Sequence, residues 1–240
     1  MADGRWTENR KLEAGQVMNR RQCSIAAGLA LFGTVLAAQN GSQFRDWKDA
    51  ALADNPRIQP KQTCAALVSQ TGYEFSVASA IVVSASGDTP EYCRVVGLIQ
   101  PEVRFEVNLP ASWNGRLYMF GNAGYAGEAL DAPQRQGTAR RALTRGFATA
   151  QTNTGHDAAM EPLGTFASNP QKLLDYAFRA VHVTAVTARS LAQTYYATPP
   201  RRSYFDGCST GGRQGLISAQ RFPDDFDGII AGACSISPGR

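Results

Sequence analysis

Tyr204-Phe205-Asp206-Gly207-Cys208-Ser209-Thr210-Gly211-Gly212-Arg213 is the stretch on which the reading of the fold turns. Residues 207–211 fit G-x-S-x-G, the pattern that sets a serine on a tight strand-to-helix turn. The spacing has a steric cause. A nucleophile projecting from a sharp turn sits in strained backbone, so its neighbours two residues away must be small enough for strand and helix to pass closely. The flanks fit: Arg202 to Asp206 reads as a short strand, and Gly212 to Phe222 as a helix with apolar Leu216, Ile217 and Phe222.

Working outward, Gly228 to Ala233 reads as the next strand. Upstream, Pro170 opens a helix in which Leu174, Phe178, Val181 and Ala185 recur at helical spacing through to about Tyr196, and Pro199-Pro200 stops it. Further back, Phe75 to Ser84, Arg94 to Gln100, Phe105 to Pro110, Leu117 to Phe120 and Gly146 to Thr152 read as strands, Arg135 to Arg145 as a helix, and Ala50 to Thr71 as an irregular or helical entry. Strands alternating with helices predict an α/β fold, a mostly parallel sheet with helices on both faces.

Composition sets the bounds. At 240 residues, 43% hydrophobic and 18% charged, the chain suits one globular domain and excludes a disordered one. The net charge of +4 owes half its excess to the first 37 residues, and the nearly balanced remainder excludes a nucleic-acid partner. Residues 18–38 read as an export signal: a basic start at Met18-Asn19-Arg20-Arg21, an apolar run from Ile25 to Leu36, and small residues through Ala37 for cleavage. The apolar run falls short of the roughly 20 residues of a membrane span, so no stable membrane anchor is expected. Sec or twin-arginine export is left open. Residues 1–17 read as a mis-assigned or disordered start, and residues 39–240 as the folded part of a secreted or periplasmic protein.

Export implies an oxidising compartment, in which Cys64 and Cys93 are the natural disulfide pair. Cys208 abuts Ser209, and its partner is less obvious.

Ester cleavage by serine needs a base, an acid to orient it, and donors for the oxyanion. The Thr210 amide is the first expected donor. The Gly121-Asn122-Ala123-Gly124-Tyr125-Ala126-Gly127 loop supplies the second, assigned to Gly124 with Ala123 as the near alternative. In sheet hydrolases of this kind the acid and histidine follow the serine. Here the two histidines, His156 and His182, both precede it. His156 reads as a loop residue and candidate pocket wall, His182 as a core histidine. Asp224, Asp225 and Asp227 read as solvated turn residues at the wrong end of the strands. No metal-ligand cluster is visible.

The run from Tyr204 to Leu216, and that from Ala219 to Ala233, closely resemble the tannase and feruloyl esterase family. Trp113-Asn114-Gly115-Arg116, the glycine loop, Thr152 to His156 and Asn169-Pro170 extend the resemblance to about residues 60–233. It implies an α/β-hydrolase that cleaves small-molecule esters of phenolic acids, with Ser209 as nucleophile and Thr210 and the glycine loop as oxyanion hole. It also implies that Cys208 bonds a cysteine beside the catalytic histidine. Family members continue with a lid domain, often with bound calcium, and then the triad acid and histidine. The expectation is therefore an N-terminal part of such an enzyme, without a cofactor of its own and weakly active or inactive, with Cys234 at best a substitute partner for Cys208. The alternative is a non-catalytic binding or remnant protein; acyl transfer to an alcohol would use the same residues.

Overall fold

The computed structural model describes residues 56–234. The expected export signal and the residues before it lie outside these. Among the described residues there are seven strands: β1 (Phe75–Val83), β2 (Tyr92–Ile99), β3 (Val103–Pro110), β4 (Arg116–Phe120), β5 (Ala148–Thr152), β6 (Arg202–Cys208) and β7 (Gly228–Gly232). They form one sheet in the order β1-β2-β3-β5-β4-β6-β7. The pairs β1/β2, β2/β3 and β3/β5 are antiparallel, whereas β5/β4, β4/β6 and β6/β7 are parallel. Only β1 and β3 therefore run against the other five, and the sheet is mostly parallel, as the alternation of elements predicts.

The helices are α1 (Pro133–Leu143), α2 (Pro170–Leu174), α3 (Ala180–Tyr196) and α4 (Thr210–Arg221), with 3-10 turns at Cys64–Ser69 and Pro162–Ser168. The long helix predicted from Pro170 to Tyr196 is interrupted by a π turn at Asp175–Arg179. One extra residue in the turn rotates everything before it by about 100°. Leu174 accordingly leaves the apolar stripe and is 45% exposed, while Val181 and Ala185 remain buried.

β3 shows how the two faces differ. Val103, Phe105, Val107 and Leu109 join the apolar core with Ala148, Ala150 and the buried face of α3. Strand alternation sends the intervening residues to the opposite face, under α1. There Glu106, 0% exposed, accepts hydrogen bonds from Arg94 (2.6 and 2.8 Å), Gln136 (2.9 Å), Gln151 (3.0 Å) and Asn108 (3.0 Å). A carboxylate removed from water is tolerable only with such a full set of donors. Trp113 stacks on Tyr196 at 4.3 Å, and the Tyr196 hydroxyl donates to Pro110 O at 2.7 Å, closing the core beneath β3. Cys64 and Cys93 form the expected disulfide, tying the first 3-10 turn to β2.

Candidate active site

β6 ends at Cys208 and α4 begins at Thr210, so Ser209 alone makes the turn. Its backbone has φ 58° and ψ −118°, a region costing an L-residue about 1–3 kcal/mol. The surroundings hold it there. Ser209 N–H donates to Gly232 O at 3.0 Å, and Arg213 N–H to Ser209 O at 3.0 Å. A Cβ on Gly207 would lie 2.4 Å from Gly211 C and O, and one on Gly121 would lie 2.6 Å from Gly211 Cα. Gly207 and Gly121 are thus required by close approach, and a Cβ on Gly211 would lie a tight 3.2 Å from Asn122 O. Ser209 is exposed, and its hydroxyl has no hydrogen-bond partner among the described residues.

The loop after β4 packs on the start of α4. Gly121 N–H donates to Asp206 O at 2.9 Å. Asn122 and Gln214 bond reciprocally: Asn122 N–H to Gln214 Oε1 at 3.0 Å, and Gln214 Nε2 to Asn122 Oδ1 at 3.1 Å. The Thr210 hydroxyl donates to Gly124 O, joining the loop to the turn itself. The two candidates for second donor differ in one respect. Ala123 N–H is spent on Glu128 Oε1 at 2.7 Å, whereas the Gly124 and Thr210 amides have no acceptor among the described residues. Gly124 has φ +50°, a conformation glycine adopts without steric cost. The unpaired Thr210 amide at the N-terminal end of α4, next to an exposed hydroxyl, suits a developing negative charge, and the unpaired Gly124 amide lies in the loop that the Thr210 hydroxyl holds.

Sequence reasoning missed Glu128 and Gln214, which fix this loop. Gln214 lies 92 residues from its partner, and no local pattern carries such a contact.

The histidines lie elsewhere. His156 is 2% exposed, with Nε2 3.0 Å from Tyr125 O. It borders a cavity of about 240 Å³ with Arg94, Arg104, Glu128 and Asp157, whose lining does not include Ser209. His182 is half-buried rather than a core residue: it stacks on Phe222 at 3.9 Å and bonds Asp225 Oδ2 at 2.8 Å. Neither ring is hydrogen-bonded to Ser209.

Asp224 and Asp227 are exposed, but Asp225 corrects the solvated-turn expectation. It is 3% exposed, pairing with Arg189 at 2.8 Å as well as with His182. These partners lie on α3, which the turn sequence does not reveal. Asp225 still precedes β7, at the end of the parallel strands away from Ser209.

Cys208 and Cys234 are both free thiols. Cys234 Sγ sits 3.0 Å from where a Gly212 Cβ would be, on the α4 face. Cys208 points to the opposite face, into a cavity of about 310 Å³ with Tyr118, Arg141 and Asp206. Cys234 is therefore not placed to substitute for its partner. Burial, then the hydrogen bond donated to Asp206 at 2.8 Å, pushes the Tyr118 phenol far above its usual range, so it remains a donor there.

Among the described residues no group of three or more His, Cys, Asp or Glu is placed to hold a metal ion, and no helix is long and apolar enough to cross a membrane.

Comparison with known proteins adds four findings. Residues 85–237 match the family model for tannase and feruloyl esterase. The chain is 36% identical over 213 residues to an uncharacterized esterase of Xanthomonas campestris, covering 86% of this chain and 34% of that protein. It is 36% identical over 172 residues to the mono(2-hydroxyethyl) terephthalate hydrolase of Piscinibacter sakaiensis, covering 65% and 28%. Among solved structures, feruloyl esterase B from Aspergillus oryzae superposes with a TM-score of 0.61 at 31% identity, over 72% of this chain and 37% of that one. The chain thus spans about a third of the length of the curated relatives it matches.

Proposed function

We propose, from the premise that this chain belongs to the tannase and feruloyl esterase family, that it carries the nucleophile half of a carboxylic ester hydrolase. Ser209 attacks the ester carbonyl, and the Thr210 and Gly124 amides receive the oxyanion. The observation that carries this reading is a strained, exposed serine followed by an unpaired amide, with a second unpaired amide at Gly124 in the loop bonded to that turn. Ala123 is set aside as second donor because Glu128 already takes its N–H.

The chemistry runs through an acyl-enzyme. Ser209 Oγ bonds the carbonyl carbon, the alcohol leaves with a proton, and water releases the acid. Relatives named for feruloyl and terephthalate esters share an aromatic acyl group, and esters of aromatic and phenolic acids are the proposed substrates. The serine step itself needs no cofactor. The Cys64–Cys93 disulfide supports export to an oxidising compartment.

Neither histidine of the sequence is bonded to Ser209, so this polypeptide by itself is expected to hydrolyse esters slowly. Oxyanion donors without a base retain roughly 10³-fold acceleration over water at best. Hydrolysis of methyl ferulate by this chain and by Ser209→Ala tests the reading. A weak rate is expected, with an acyl group carried on Ser209 in the intact chain and absent from Ser209→Ala by intact-mass spectrometry. Absence of any acyl group on Ser209 contradicts its assignment, and turnover of about 10 s⁻¹, ordinary for enzymes, would mean that a base is present. The lack of a base among the described residues also favours the non-catalytic alternative, which predicts a folded, soluble chain that takes no acyl group on Ser209.

A further inference from the structure

His156 has no part in the serine chemistry proposed above, yet each side of its ring is engaged. One face stacks on Phe166, with centroids 3.8 Å apart and planes 21° apart. Nε2 lies 3.0 Å from Tyr125 O, and Nδ1 lies 3.4 Å from Thr154 Oγ1. A Cβ on Gly127 would come within 2.6 Å of its Cδ2, so the loop closes tightly over the ring edge. A carbonyl only accepts, so Nε2 carries the proton. The residue it holds, Tyr125, directly follows Gly124, the assigned second donor.

The packing continues from this ring to the nucleophile. Phe166 meets Tyr176 at 5.0 Å, and the Arg213 guanidinium lies 4.5 Å over the Tyr176 ring. The Arg213 N–H in turn holds Ser209 O. One column of rings thus joins the loop bearing one amide to the helix turn bearing the other.

We infer that His156 is a positioning residue for the oxyanion site: its Nε2–H fixes the Tyr125 carbonyl and so holds the Gly121–Gly127 loop against the start of α4. The inference rests on the reading of Ser209 and Gly124 given above. A histidine that merely fills space would serve through its ring alone, and two variants separate the roles. His156→Gln keeps an amide donor near the position of Nε2 and loses the aromatic face; His156→Phe keeps the face and loses the donor.

The first readout is amide exchange by NMR at Ala126, whose N–H is bonded to Ala123 O at 2.8 Å within the loop. Losing one hydrogen bond that orders the loop is expected to speed this exchange about tenfold in His156→Phe, with His156→Gln close to wild type. The second is affinity for phenylboronic acid, with the tetrahedral adduct followed by boron NMR and expected to weaken about tenfold in the Phe variant only. Exchange and affinity both within about twofold of wild type in His156→Phe would overturn the inference. Should both His156 variants fail to fold, Gly127→Ala, which wedges the ring from its carbonyl while leaving the histidine in place, is read in the same way. Ser209→Ala distinguishes the two layers: it should abolish the tetrahedral signal and leave Ala126 exchange unchanged. A wild-type chain that gives no adduct would defeat the serine reading, while the exchange data would still decide the role of His156.

Discussion

Gly207→Ala tests the turn through its packing. The added methyl would sit 2.4 Å from Gly211 C and O and 2.7 Å from Gly211 Cα. Carbon atoms in contact rest at about 3.5–4.0 Å, so β6 and α4 must part by about 1 Å. Nothing there yields easily, because the obstacle is backbone and β6 is hydrogen-bonded to β4 on one side and β7 on the other. Overpacking against soft side chains costs about 1–3 kcal/mol, and the upper end or more is expected here, about 3 kcal/mol. With a urea slope of about 2 kcal/mol/M, the unfolding midpoint should fall by about 1.5 M. The control is Gly72→Ala, where the methyl meets nothing within 4 Å and the stability should change by less than about 0.5 kcal/mol. Urea unfolding followed by circular dichroism measures both. If Gly207→Ala and Gly72→Ala lower the midpoint equally, the close approach of strand and helix is not what the motif glycines secure.

Other outcomes follow from the same contacts. Reducing Cys64–Cys93 opens a link across a sequence separation of 29 residues, which loop entropy values at about 3–4 kcal/mol, read as a lowered midpoint in the presence of a phosphine reductant. Glu106→Ala takes the carboxylate from Arg94 and one of the two acceptors from each of the Gln136, Gln151 and Asn108 amides and should cost about 3 kcal/mol, seen as a lower melting temperature. Ser209→Gly should raise stability by about 1 kcal/mol while removing the nucleophile, since glycine takes φ 58° without strain; an unchanged melting temperature would argue that the serine turn stores no strain.

Much of the fold was legible because local signals and tertiary demands agree. The strands at Phe75, Leu117 and Gly228 and the helix after Ser209 all lie where periodicity and glycine spacing place them. The turn was legible in part for the same reason: Gly207 is fixed by the approach of Gly211 within five residues of chain, whereas Gly211 itself packs on Gly121 and Asn122, some 90 residues upstream. What escaped was longer in range. The π turn at Asp175–Arg179 preserves helical spacing on each side and shifts only the phase, so Leu174 reads as buried when it is exposed. Asp225 sits in an acidic turn yet is buried by Arg189 and His182 from another helix. Glu128 and His156 meet the glycine loop at the Ala123 N–H and the Tyr125 carbonyl, and backbone groups leave no mark on composition.

The central claim is that Ser209 is a nucleophile set before two waiting amides. Incubating the chain with a p-nitrophenyl alkylphosphonate, followed by intact-mass and peptide mass spectrometry, tests it most directly. The account predicts one phosphonyl group on the peptide containing Ser209 and none on Ser209→Ala. Labelling spread over other serines, or undiminished in Ser209→Ala, would contradict it.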